Sequence, residues 1–196
     1  MQDTADRLHA ARDAVEAAGL TVPLISGAGS ESYWVASLAG SGTTWEMQGG
    51  GGVLCCQRYF NTFHSEPDDS PDADALHSHQ YALFVMAQIV SRTALASEGR
   101  LIGDAGFKTS CWPFPHVKGE CLPLVTSHPH LKCVGLSAEH TTFEASPEQE
   151  EVKLGERVLM VPYYSDATVL LHRNLFAVRN GLVSHLARIK YARTSI

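Results

Sequence analysis

The sequence predicts an α+β chain: a short helix–strand opening followed by a mostly antiparallel β region. Three observations carry this reading. Leu8, Ala11, Val15 and Ala18 recur at helical spacing near the start. From Thr43 onward the apolar residues gather instead into strand-length runs separated by turns. Asn180 and Gly181 lie between the last two of these runs, and both residue types adopt the positive φ that a tight hairpin turn requires.

Taken in order, the opening helix has Asp3 as its expected N-cap and Gly19 as its stop. A short β-rich run in "LTVPLISGAGSESYWVASLAG" then ends in a glycine turn, Ser26, Gly27, Ala28, Gly29 and Ser30, before a segment that could begin a second helix. The strand expectations beyond it are "GVLCC", "YALFVMAQIVSRT", "RLIGDAG", "KCVGLSAEH", "RVLMVPYY", "ATVLLH", "LFAVR" and "LVSHLARI". "EPDDSPDADA", rich in Pro and Asp, reads as a solvated loop. These patterns divide the chain into residues 1–42 and 43–196, with no internal repeat. A parallel strand needs neighbours in its sheet, so one helix, one strand and a glycine turn do not complete an α/β unit. The expectation is that further chain precedes Met1.

Composition narrows the partners. With 196 residues, 44% hydrophobic and 18% charged, the chain can bury a core. A net charge of -6 and no Lys/Arg-rich run argue against nucleic acid and anionic membrane, leaving a small molecule or a protein. The longest apolar stretch, "YALFVMAQIV", is half of the ~20 residues that a membrane span needs. The acidic, amphipathic start has no basic region followed by an apolar one, so a cytoplasmic chain is expected. Five cysteines, Cys55, Cys56, Cys111, Cys121 and Cys133, form an odd set without a CxxC pair; they read as buried thiols, not as a disulfide framework or a zinc ribbon.

Five motifs could carry chemistry. "SGAGS" reads as an ordinary turn or as a phosphate cradle, because small residues let an anion approach backbone N–H groups. "GDAGFK" places Asp104 and Lys108 around a glycine turn, which a strand end explains without function. "HSH" (His77, His79) and "HPH" (His128, His130) each put two imidazoles on one side of an extended strand, yet neither has an obvious third and fourth ligand, so exposed histidines are favoured over a metal site. In "VPYYSDATVLLH", read as two strands around a polar break, Asp166 is a metal ligand, a catalytic base or a turn residue.

Read in sequence, "AAGLTVPLISGAGSESY", "TTWEMQGGGGV", "FVMAQIVSR", "GRLIGDAGFK", "VGLSAEH", "LGERVLMVPYYSDATVLLH" and "LFAVRNGLV" resemble consecutive segments of the D-threonine aldolase and D-serine dehydratase family, which is related to alanine racemase. The resemblance covers nearly the whole chain, and "LSAEH", "LGERVLMVP" and "NLFAVRNG" are its most specific parts. It implies a pyridoxal-phosphate enzyme in which a TIM-type barrel carries the cofactor and a C-terminal β-domain completes the site and supplies a divalent metal. On this reading residues 1–42 are the last βα portion of the barrel and residues 43–196 are the β-domain. The Schiff-base lysine of the family has no counterpart among the lysines present; Lys108 matches a different element.

The resemblance further implies that Ser26, Ala28, Gly29 and Ser30 hold the cofactor phosphate. After the strand's Pro the family carries a His and then, one residue on, a Cys or an Asp, both metal ligands. The matching positions are Tyr164 and Asp166, so one ligand is kept and one is lost, and the Asp resembles the aldolase branch more than the dehydratase branch. A neutral phenol must lose a proton of pKa about 10 before it binds a metal well. Gly52 stands where the family has an aromatic residue, and Cys56 where it has an acid. The expected function is a fragment or degenerate relative of a D-threonine-aldolase-type lyase, cleaving D-3-hydroxy amino acids. The alternatives are a dehydratase-type lyase, a non-catalytic binding module, or a small β-rich interaction protein that shares only the fold. A sheet cut through a barrel exposes an apolar edge, so a partner chain supplying the barrel, or self-association, is also expected.

Overall fold

A computed structural model of the chain describes residues 2–34, 44–92, 99–111, 121–145 and 152–189. The chain divides into two compact units, residues 1–54 with 59–80, and residues 55–58 with 81–196. The expected division at residue 42, and most of the segment expected to begin a second helix, fall outside the described residues.

In the first unit, α1 runs from Gln2 to Ala17. Asp3 sits inside its first turn, not before it, where its carboxylate favours the positive end of the helix and pairs with Arg7 one turn on at 3.2 Å. Gly19 ends the helix as expected. Its φ is +83°, and the Gly19 and Leu20 N–H groups donate back to the carbonyls of Glu16 and Val15, the double bond of a glycine-terminated helix. β1 (Ile25–Gly29) then pairs in parallel with β2 (Trp45–Gln48). The ladder slips between Gly27 and Gly29 because Ala28 takes a left-handed conformation, φ +58°. Gly51 and Gly52 follow in a turn that runs through Leu54, where "GVLCC" was expected as a strand. Both are crowded: a Cβ on Gly51 would lie 2.6 Å from the Tyr59 ring, and one on Gly52 would lie 2.8 Å from His79 Nε2. The His79 ring, packed 4.3 Å from Phe63, fills the space that an aromatic residue at position 52 would need.

Two short helices follow, α2 (Gln57–Phe63) and α3 (Ala73–His77). α3 replaces the end of the expected acidic loop, its buried Ala73 and Leu76 giving that segment a reason to fold. His77 ends α3 and His79 lies just beyond it, so "HSH" is not on a strand.

The second unit is built on a six-stranded antiparallel sheet in the order β5-β8-β3-β4-β7-β6. Its strands are β3 (Val85–Arg92), β4 (Arg100–Gly103), β5 (Leu124–Val125), β6 (Leu131–Leu136), β7 (Thr141–Ala145) and β8 (Arg157–Val161). Strand periodicity is plain in β3, where Val85, Ala87 and Ile89 are buried and Met86, Gln88 and Val90 alternate outward. The inward face joins Leu101, Leu131, Cys133, Phe143, Val158 and Met160 in one core. Gly103 lies under the Phe143 ring, and Gly106 faces the Ser137 carbonyl so closely that a Cβ would come within 2.4 Å of it.

After β8 the structure departs from the expected second strand. "SDATV" forms a one-turn helix, α4 (Ser165–Val169). Thr168 is the cause: its N–H and its hydroxyl both donate to the Tyr164 carbonyl, at 3.3 and 2.7 Å, so the side chain closes the turn that the backbone begins. β9 (Asn174–Arg179) and β10 (Leu182–Arg188) then form a separate antiparallel hairpin around Asn180 (φ +51°) and Gly181 (φ +75°), as the sequence predicts.

Candidate functional site

The glycine turn in the first unit is held by side chains from the residues around it. Ser26 Oγ donates to Glu46 Oε2 at 2.5 Å and accepts from Gln48 Nε2 at 2.9 Å. Glu46 and Gln48 reach the same hydroxyl because alternate residues of β2 face one side. Ser30 Oγ accepts the Gly51 N–H at 2.6 Å, which leaves the hydroxyl proton for another partner. A Cβ at Gly29 would meet nothing within 4 Å, so the turn opens onto free space. A left-handed residue followed by an open glycine makes the kind of concavity in which backbone N–H groups meet an anion.

The second cluster surrounds the corner after β8. Gln57 N–H donates to the Pro162 carbonyl at 3.3 Å and Arg58 N–H to the Tyr163 carbonyl at 3.0 Å, while the Gln57 side-chain amide spans the carbonyls of Leu122 (3.0 Å) and Val161 (2.9 Å). These bonds place the Arg58 guanidinium 5.3 Å from the centre of the Tyr164 ring, within cation–π range. Asp166 lies in the first turn of α4, exposed, with its carboxylate accepting the Ser165 hydroxyl at 3.0 Å. Burial pushes the Tyr163 phenol above its ordinary value, and the neighbouring Cys121 thiol adds to this while Arg58 opposes it. Of the expected buried thiols, Cys55, Cys56, Cys121 and Cys133 are buried and Cys111 is half-buried. Burial pushes Cys55 up to about 11 and Cys133 up to about 12, so both stay protonated at neutral pH.

The remaining motifs settle into structural bonds. Asp104 accepts the Gln88 N–H at 2.7 Å, and Lys108 pairs with Glu139 at 2.5 Å. His128 bridges Ser127 (2.8 Å) and Glu156 (2.9 Å) in the turn before β6, and its hydrogen bond, after that of the Lys153 N–H, holds Glu156 below the ordinary carboxylate value. Among the described residues no group of three His, Cys, Asp or Glu side chains is placed to hold a metal ion. Sequence reasoning missed Arg58, Glu46 and Gln48. The alternation in "WEMQ" was a usable signal for the last two; Arg58 belongs to no motif.

The second unit thus carries an antiparallel six-stranded sheet followed by the Pro162–Asp166 corner, and the first unit a parallel strand pair with a glycine turn. Residues 82–178 match the family described as "Putative serine dehydratase domain". A D-threonine aldolase of Arthrobacter sp is 31% identical over 111 residues, covering 55% of this chain and 26% of that protein. A 3-hydroxy-D-aspartate aldolase of Paracoccus denitrificans is 28% identical over 171 residues, covering 87% of this chain and 40% of that protein. The crystal structure of D-threonine aldolase from Filomicrobium marinum shares the fold at a TM-score of 0.72 and 24% identity, over 96% of this chain and 46% of that one. The chain thus spans less than half the length of these relatives. Among the described residues no helix is long and apolar enough to cross a membrane.

The two groups that the family implies fare differently. The turn at Ala28, Gly29 and Ser30 fits a phosphate, since it is open at Gly29 and offers the Ser30 hydroxyl. The corner does not fit a divalent metal, because Tyr164 is a phenol set against a guanidinium and, among the described residues, Asp166 belongs to no group of three His, Cys, Asp or Glu side chains placed to hold an ion.

Proposed function

We propose that the chain contributes the phosphate turn and the β-domain of a pyridoxal-phosphate-dependent lyase acting on D-3-hydroxy amino acids, of the D-threonine aldolase type. The observation that carries this reading is the open turn at Ala28–Ser30 on a parallel strand pair, in a chain whose β-domain carries the lyase family's signature. When bound, pyridoxal phosphate supplies an electron sink for the bond that breaks at Cα. The residues of the chain bind and orient. Ala28 and Gly29 would let the phosphate approach the backbone and the Ser30 hydroxyl would donate a hydrogen bond to it, while Ser26 braces the turn through Glu46 and Gln48. Asp166 keeps an oxygen donor at the position where the family has a metal ligand.

A second reading, a non-catalytic relative that binds a ligand through the same domain, is favoured by the Arg58–Tyr164 pair at the corner. One assay separates the two. The purified full-length protein, supplied with pyridoxal phosphate, is given D-threonine and 3-hydroxy-D-aspartate. Glycine release is expected from an aldolase. Ammonia without glycine points to the dehydratase reaction, and neither product, with cofactor bound, to the binding module.

A further inference from the structure

The corner that fails to fit a metal carries a positive charge of its own, and this deepens the lyase reading on which it rests. We infer that Arg58 and Tyr164 together exclude a divalent ion from the Asp166 corner, the guanidinium providing the fixed cation that a metal would otherwise bring. Arg58 is not a stray surface side chain. Its own N–H is bonded to the Tyr163 carbonyl, and the residue before it is tied by three bonds, to Pro162, Leu122 and Val161. The chain from which the guanidinium projects is therefore anchored to the same corner that carries Tyr164 and Asp166.

Two physical effects then act together. At the position where the family has an imidazole, the Tyr164 phenol offers no lone pair comparable to a neutral histidine nitrogen until it loses its proton. The guanidinium, 5.3 Å from that ring, repels a second cation brought to the same corner. Replacing the phenol alone would therefore leave the repulsion in place. Removing the charge alone would leave a single carboxylate, which is too few ligands for a stable site.

The test is Mn2+ binding to the purified full-length protein, read from the EPR signal of free ion, in the native protein and in Tyr164→His, Arg58→Gln and the double variant. Circular dichroism verifies that each is folded, and only binding that Asp166→Asn abolishes is counted. The native protein and Arg58→Gln are expected to show no such binding, Tyr164→His weak binding, and the double variant binding tighter than Tyr164→His by about tenfold or more. Asp166-dependent binding by the native protein would overturn the inference. So would a Tyr164→His variant that binds as tightly as the double variant, or a double variant that does not bind. The readout uses neither pyridoxal phosphate nor turnover, so an inactive protein leaves it intact, and either metal result leaves the cofactor reading to be decided by its own assay.

Discussion

Thr168 shows what one buried hydroxyl does at the corner. It donates to the Tyr164 carbonyl at 2.7 Å and accepts the Cys111 N–H at 3.1 Å, and it is almost wholly removed from solvent. Valine has the same shape and neither bond, so Thr168→Val leaves a buried carbonyl and a part-buried N–H without their side-chain partner. Urea unfolding should show a loss of about 1–3 kcal/mol, and an unchanged midpoint would remove Thr168 from the account of why α4 forms. At this scale the sequence was legible where a residue's chemistry is local. The cysteines read correctly as mostly buried thiols, whereas Asp166, expected at a break between two strands, lies in the first turn of α4. Arg58 was not legible, since its contact with Tyr164 bridges residues far apart in the chain and depends on where Gln57 anchors the backbone.

At the scale of elements, the alternation of β3 and the Asn180-Gly181 turn were readable because each is set by neighbours in sequence. The short helices were not. "ATVLLH" has the β-branched and apolar residues of a strand, and Thr168 turned it into a helical turn by bonding to the Tyr164 carbonyl. "CC" read as part of a strand and instead lies buried in the connection before α2. The β9–β10 hairpin forms the expected ladder, but Phe176, Val178, Leu182, Val183 and Leu186 remain exposed on it, and a two-stranded ribbon is marginal alone. Amide hydrogen exchange should therefore be fast across residues 174–188 and slow in β3, β7 and β8, whose inward side chains form the core. Equal protection of the hairpin and the sheet would mean that something covers those apolar side chains.

For the whole molecule, the order of motifs carried more than any one of them. The glycine turn was ambiguous alone, as was the polar break after Pro162, and their succession along the chain pointed to the lyase family that the β-domain matches. What order could not supply was the state of the site, because Tyr164 and Gly52 are single positions whose effect depends on Arg58 and His79 beside them. The central claim is that the Ala28–Ser30 turn holds the phosphate of pyridoxal phosphate, and cofactor retention tests it most directly. The full-length protein and a Ser30→Asp variant, each incubated with pyridoxal phosphate and dialysed, would be compared by cofactor absorbance. Retention by the native protein, competed by inorganic phosphate and lost in Ser30→Asp through repulsion of the phosphate charge, is the expected result. Equal retention by both proteins, or none by either, would contradict it.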